Sequence, residues 1–400
     1  MAARVRIAKP AEAGQLRLIL APDKFKATLT ASEAAAAMAA GARRALPAAE
    51  LVELPVADGG DGTLAAAVAA GAELRSVRVA DALGRRVPAQ YAVLGDTAII
   101  ESAQACGLQH VPVNPESALR SHSAGVGELI AAALDDGCRD LVIGLGGSAC
   151  TDGGAGMARA LGVRMAGPAG QELPYGGGWL AELAEIDTAG LDPRLRESTV
   201  RIACDVTNPL LGETGAAAVF APQKGAGPAE VARLAAGLAN YAERVRLACG
   251  IDIDRLPGGG AAGGLAAGLV AFAGGRIDSG IEFLLRLLGF ADRLADCSLV
   301  ITGEGCLDQQ SLAGKAPAGV ARLAGRHGVP VLAVAGRLQL GPAELAEAGF
   351  AAAWSLTDEV GGHRAVRDAA GALAEVTERA VRHWWQRAGV AGAPAHRSAG

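Results

Sequence analysis

The sequence predicts an α/β protein: a discontinuous domain with a parallel sheet, and a second α/β domain inserted into it. Three observations carry that prediction. Short apolar runs are each followed by a helical pattern, the βα unit of a parallel sheet buried on both faces. Clusters rich in glycine and carboxylates stand where those runs end, at the strand ends where open α/β sheets bind ligands. Another stretch alternates residue by residue, as antiparallel strands do.

Taken in order, Leu16 to Leu20 (LRLIL) is the first strand and leads into APDKFKATLTASE. Thr30 or Ser32 can cap the helix that follows, with Glu33 in its first turn. Leu51 to Val56 is the second strand and leads into ADGGDGTLAAAVAAG. Residues 72–119 read as an antiparallel meander with a turn at Leu83-Gly84. Leu141 to Leu145 leads into GGSACTDGGAGMARALG, and residues 162–285 mix helices with Gly/Pro loops. Leu299 to Ile301 leads into TGEGCLDQQSLAGK, and Pro330 to Val334 into AGRLQLGPAELAEAG. An amphipathic helix near 366–388 closes the fold, with Trp384-Trp385 as a packing anchor. The expected sheet domain is therefore residues 15–71, 120–161 and 286–388. The inserted domain is 72–119 and 162–285, and flexible ends fall at 1–14 and 389–400.

Composition narrows the function classes. A chain of 400 residues, 51% hydrophobic, is long enough for about two to three domains with sizeable cores. Lys plus Arg number 37 against 42 Asp plus Glu, and a net charge of -5 argues against a nucleic-acid binder. The seven cysteines are scattered without a CxxC or a Cys/His cluster, which points to reduced thiols and the cytoplasm rather than to disulfides or zinc. No apolar run approaches the ~20 residues of a membrane span, and the N-terminus lacks the apolar core of a signal peptide.

Two nucleotide fingerprints are tested first. A Walker A loop fails, because Gly314-Lys315 is followed by Ala316 and Gln309 stands where its first Gly belongs. The dinucleotide pattern GxGxxG/A matches at Gly144, Gly146 and Ala149, but no acidic residue ends a second strand about 20 residues later. What the strand ends share is carboxylates and lysines set in glycine. Asp23, Lys24 and Lys26 follow the first strand, and Asp58, Gly59, Gly60 and Asp61 the second. Gly146, Gly147, Ser148 and Asp152 follow the third. Asp205 and Asn208 sit in ACDVTNPLLGETG, Lys224 in PQKG, and Glu304, Asp308 and Lys315 in TGEGCLDQQSLAGK. Hydride transfer does not need so many acids; phosphoryl transfer does. Carboxylates hold Mg²⁺, lysines offset charge on the phosphoryl group, and glycines let backbone N–H groups approach phosphate oxygens. For any single acid, a helix cap or a turn is the competing explanation. PGGGAAGGLAAG (257–268) reads either as a close backbone contact or as the lining of a nucleotide cleft.

These motifs closely resemble the bacterial glycerate kinases of the first class, from about Leu16 to about Trp385. The resemblance is carried by APDKFKATLTASE, PVADGGDGT, GVGELI, IGLGGSACTDGGAGMARALG, ACDVTNPLLGETGA, FAPQKGA, PGGGAAGG, SGIE and TGEGCLDQQSLAGK. It implies two α/β domains, one of them Rossmann-like and discontinuous. It also implies transfer of the γ-phosphate of ATP to D-glycerate, giving 2-phosphoglycerate and ADP. Mg²⁺ would assist, and small molecules would be the partners, with no nucleic acid and no membrane. The chain departs from the family's pattern at Lys24, often Ser; at Cys306, often Arg; and at Asp61, often Glu. The Cys306 departure removes a cation that could bind phosphate, and Lys24 is a possible replacement.

On this reading Asp58, Asp61 and Asp205 are candidates for the base that takes the hydroxyl proton, and one of them or Asp308 serves Mg²⁺. Lys26, Lys224 and Lys315 are candidates for the triphosphate or the glycerate carboxylate, with Lys26 counted among the catalytic group. Backbone around Gly146, Gly147 and Ser148 would cradle phosphate. Asp23, Lys24, Gly59, Gly60, Asn208 and Glu304 complete the expected binding set. Two domains around a cleft would close on substrate. The competing readings are a glycerate 3-kinase, an NAD(P)-dependent hydroxy-acid oxidoreductase resting on GLGGSA, and a non-catalytic sugar-acid sensor.

Overall fold

The computed structural model describes residues 16–57, 60, 62–312 and 314–390. The chain divides into two compact units, one built from the chain up to Ala57 and from Leu284 onward, the other from residues 58–283. The strands used below are, in chain order, β1 (Arg17–Leu20), β2 (Glu50–Glu53), β3 (Glu73–Ala80), β4 (Arg86–Leu94), β5 (Thr97–Glu101) and β6 (Asp140–Gly144). They continue with β7 (Thr199–Ala203), β8 (Arg276–Asp278), β9 (Leu299–Thr302), β10 (Cys306–Leu307), β11 (Val331–Ala335), β12 (Arg337–Leu338) and β13 (Ala352–Ser355). The helices are α1 (Ala31–Ala45), α2 (Thr63–Ala69), α3 (Ala124–Asp135), α4 (Ala155–Ala160), α5 (Pro228–Cys249), α6 (Leu265–Ala273), α7 (Ala316–Arg326) and α8 (Ala369–Val390).

The first unit is a five-stranded, wholly parallel sheet in the order β13-β11-β9-β1-β2. β9 and β11 are buried along their whole length, as continuous apolar runs in a doubly covered parallel sheet should be. α1 and α8 pack on the face that carries Leu18, Leu20, Leu332 and Val334, and Trp384 joins that core. Thr30 caps α1 reciprocally: its hydroxyl accepts from Glu33 N at 3.2 Å, and Glu33 Oε2 accepts from Thr30 N at 2.9 Å.

The second unit is a six-stranded mixed sheet in the order β8-β7-β6-β5-β4-β3. β3, β4 and β5 form the expected antiparallel meander, while β5 to β8 run parallel. The meander's turn is held by Asp81, whose Oδ1 accepts from Leu83 N and Arg85 N, both at 2.9 Å, with Gly84 at φ +87°. α3 and α6 contribute to the core over this sheet, and α5 anchors a second core around Tyr241.

The expected domain boundaries are corrected here. Residues 120–161 do not belong with β1. Their strand β6 pairs with β5 (Thr97↔Asp140) and β7 (Asp140↔Thr199), which puts it in the middle of the second sheet. Residues 58–71 fall in the second unit too, so the insertion is one uninterrupted segment. The reason is physical: an apolar five-residue strand looks the same whichever parallel sheet buries it. At the C-terminus, the backbone of α8 continues to Val390, past the expected helix end at 388. The expected N-terminal flexible end (1–14) and the tail beyond Val390 lie outside the described residues.

Candidate active site

In the first unit, numbering strands by their order within the unit gives a sheet order of 2-1-3-4-5. The strand order reverses between β1 and β9, and open α/β sheets bind ligands outside the carboxyl ends at such a switch point. Asp23 follows β1 and Glu304 follows β9, and both are buried, at 5% and 7% exposure. They stand on adjacent segments, because Asp23 N donates to Gly303 O at 2.9 Å. Asp23 Oδ1 accepts from Lys24 N at 2.7 Å. Gly305 lies against the backbone of Phe25 and Lys26, and a Cβ there would be 3.1 Å from Lys26 N.

Lys26 is exposed on a tight turn closed by Thr28 N to Phe25 O at 2.9 Å. The next residue, Ala27, has φ +65°, a left-handed conformation an alanine adopts only at some cost. Asp308 Oδ1 accepts from Ser311 N at 3.0 Å and lies 4.0 Å from Lys315 Nζ. Asp308 therefore does cap a short helical turn, the competing explanation for a lone acid, while also pairing with a lysine of the expected set. Lys315 immediately precedes α7.

The second unit repeats the arrangement on its own parallel strands. Glu101 ends β5, the loop of residues 145–154 leaves β6, and Asp205 follows β7. That loop is ten residues long before α4 begins, whereas a dinucleotide fingerprint turns directly from strand into helix. Gly147, at φ +72°, and Ser148 are held to the chain around Cys106–Leu108: Leu108 N donates to Gly147 O at 2.8 Å and Ala149 N to Cys106 O at 2.7 Å. Asp152 is wholly buried, and its carboxylate accepts from Ser123 N and Oγ, Gly154 N and Gly156 N at 2.9–3.2 Å. Its role is to cap the start of α4 and to fix the loop.

Lys224 departs from its expected place. Its side chain is buried, and Nζ donates to Cys150 O at 2.5 Å, with Thr151 Oγ1 at 3.5 Å. Burial lowers its pKa, and the nearby Cys150, Cys106 and Asp152 oppose that shift. Its ammonium thus braces the 145–154 loop. Asn208 is half-buried and held by its own loop, its Nδ2 donating to Thr214 O at 2.8 Å. Asp205 Oδ1 accepts from Gly280 N at 3.2 Å, across to the start of the SGIE segment. The PGGGAAGG segment makes the backbone contact foreseen as one of its two readings. A Cβ on Gly263, at φ +67°, would lie 2.0 Å from Cys150 O.

Asp58, Gly59 and Asp61 lie outside the described residues. Gly60 is buried and its carbonyl accepts from Thr63 Oγ1 at 2.7 Å. Sequence reading missed Glu101. Its buried Oε1 accepts from Gly62 N at 3.0 Å and Leu64 N at 2.8 Å, satisfying backbone donors at the start of α2. No local signal marks it, because its partners are 37 to 39 residues away. Asp205 and Asp308, the two acids expected to share metal duty, fall in different units.

The donor set suits a divalent cation. The buried strand-end acids Asp23 and Glu304 offer hard oxygen ligands, which suit Mg²⁺ rather than a thiophilic metal. Cys306 nearby is a soft ligand that does not suit Mg²⁺. Among the described residues no group of three or more His, Cys, Asp or Glu could hold a metal by itself. Mg²⁺ is commonly held by one or two carboxylates together with substrate phosphates, so the residues fit it. Among the described residues no helix is long and apolar enough to cross a membrane.

Comparison with known proteins agrees with this chemistry. The family model for the glycerate kinase family matches residues 18–385. The chain is 45% identical over 350 residues to glycerate 2-kinase of Escherichia coli (strain K12), covering 86% of this chain and 92% of that protein. It is 42% identical over 370 residues to glycerate kinase of Bacillus subtilis (strain 168), covering 92% and 96%. A crystal structure assigned to glycerate kinase 2 of Salmonella typhimurium LT2 superposes with a TM-score of 0.79 at 41% identity, covering 93% of this chain and 99% of that one. The chain therefore belongs to the glycerate kinase family.

Proposed function

We propose that this kinase transfers the γ-phosphoryl group of ATP to the 2-hydroxyl of D-glycerate, releasing 2-phosphoglycerate and ADP. The observation that carries the reaction class is the paired strand-end acids Asp23 and Glu304 at the switch point of the first unit, in segments that also supply Lys24, Lys26 and Lys315. Support for the 2-position comes from the relative named glycerate 2-kinase at 45% identity.

In this reading Lys24, Lys26 and Lys315 offset the charge of phosphate oxygens and of the acid substrate's carboxylate. Asp23 and Glu304 would hold Mg²⁺, with Asp308 as the further metal acid of the same unit, and the ion would offset charge that develops on the phosphoryl group. One of Asp58, Asp61 and Asp205 accepts the proton of the attacking hydroxyl. Backbone N–H groups of the Gly146–Ser148 segment face phosphate, and Lys224, Asp152 and Asn208 hold the surrounding loops in shape.

The test is an assay of purified protein with D-glycerate and MgATP coupled to enolase, without phosphoglycerate mutase. 2-Phosphoglycerate is dehydrated directly, so absorbance of the enol product rises. ADP formation with no enolase signal until mutase is added would overturn the 2-position. No ADP formation would overturn the reaction.

A further inference from the structure

We propose that Arg337 is an anion-binding residue of this reaction, its guanidinium gripping an oxyanion of a bound substrate at the carboxyl end of the first unit's sheet. The inference rests on the phosphotransferase reading above and extends it to a residue outside the motifs.

Arg337 follows β11, the strand next to β9. It opens the two-residue strand β12, which pairs in parallel with β10 in the register Cys306↔Arg337 and Leu307↔Leu338. Partners in such a pair point to the same face, and successive residues point to opposite faces. Leu307 is wholly buried, so the Leu307–Leu338 pair faces the interior. Cys306 and the exposed Arg337 therefore share the outward face. The backbone leaves little room for that face to move. Gly336 N donates to Glu304 O at 3.0 Å and Arg337 N to Gly305 O at 3.1 Å, tying Arg337 to the segment that follows β9.

The charges on this face are mixed. Asp308 and Lys315 are near each other, at 4.0 Å, which partly commits that lysine. Among the described residues Arg337 makes no ion pair, although many arginines of this chain do, such as Arg85 with Asp81 at 2.6 Å and Arg194 with Asp192 at 2.7 Å. A guanidinium held at a ligand-binding strand end offers a rigid fork that matches a carboxylate or phosphate with two parallel hydrogen bonds. The register thus supplies a cation beside Cys306, a place for which sequence reading offered only Lys24.

The oxyanion is either the carboxylate of D-glycerate or a phosphate oxygen of the nucleotide, and steady-state kinetics separate the two. Arg337→Ala is expected to raise KM by about tenfold or more for one substrate and to change kcat less, with an unaltered thermal unfolding midpoint. A rise confined to D-glycerate assigns the carboxylate, and a rise confined to MgATP assigns the phosphates. Arg337→Lys, which keeps the charge but loses the fork, is expected to fall between wild type and Arg337→Ala. Wild-type KM values for both substrates in a folded Arg337→Ala would overturn the proposal; if that variant does not fold, wild-type values in Arg337→Gln would do the same. If wild-type protein does not phosphorylate D-glycerate, the reading beneath the proposal fails instead. Arg337 is then judged by calorimetric titration with ADP and with D-glycerate. Weaker binding of either by the variant supports its anion-binding role, and equal binding of both removes it.

Discussion

At the scale of single residues, buried polar side chains hold loop and helix-start backbone in place. Glu101 is one. Replacing it with alanine strands the N–H groups of Gly62 and Leu64, and each donor buried without a partner costs roughly 1–3 kcal/mol. Glu101→Ala is expected to lower the urea midpoint by that order and to reduce kcat, while Glu101→Gln, which keeps an acceptor, loses much less. An unchanged midpoint in Glu101→Ala would remove Glu101 from this role. His122 is another, buried and stacked on Tyr175 with ring centroids 4.5 Å apart. Burial holds its pKa below the ordinary 6.5; Asp152, Asp81 and Glu128 favour the proton, Arg159 opposes it, and burial wins. The sign follows from linkage: below pH 6.5 the unfolded chain takes up a proton that the folded chain does not. Stability is expected to fall as the pH drops through that range, by at most about 1.4 kcal/mol per pH unit from this group. Urea unfolding from about pH 7 to about pH 5.5 should show a shallower fall in His122→Gln than in wild type. Equal slopes would assign the loss to other groups. The strand-end placement of Asp23 and Glu304 was legible, because each stands just beyond an apolar run. Glu101 and Arg337 were not, because their roles come from register and from contacts distant in sequence.

At the scale of elements, apolar runs and caps read true where the signal is local. The five expected strands of LRLIL type are all strands, and Thr30 caps α1 as one of the two residues named for it. β13 was missed: Ala352–Ser355 is four residues long and only half-buried for three of them, too short to show a period. Close approach of helices was also invisible. Gly41 on α1 faces α8 so tightly that a Cβ would lie 2.1 Å from Ala374 O. In an exposed helix Gly→Ala would stabilise by up to about 1 kcal/mol. Here the added methyl must push α1 and α8 apart, an overpacking cost of about 1–3 kcal/mol, so the net effect is expected to be destabilising. Urea unfolding of Gly41→Ala checks the sign, and a raised midpoint would contradict the close packing.

At the scale of the whole molecule, the α/β class and the existence of a split sheet unit with an insertion were legible, but the assignment of β6 was not. Apolar strands of equal length carry no label for the sheet they join, so only the register with β5 and β7 places β6. Each unit nonetheless sets its acids and glycine loops at the carboxyl ends of parallel strands, and that regularity is what makes the phosphotransferase reading coherent. The central claim is the bond that is formed, and ³¹P NMR of the product made from D-glycerate and MgATP reads it directly. Phosphate on the 2-hydroxyl couples to one methine proton, so the account expects a doublet matching 2-phosphoglycerate. A triplet from coupling to two methylene protons would place the phosphate on the 3-hydroxyl and contradict it.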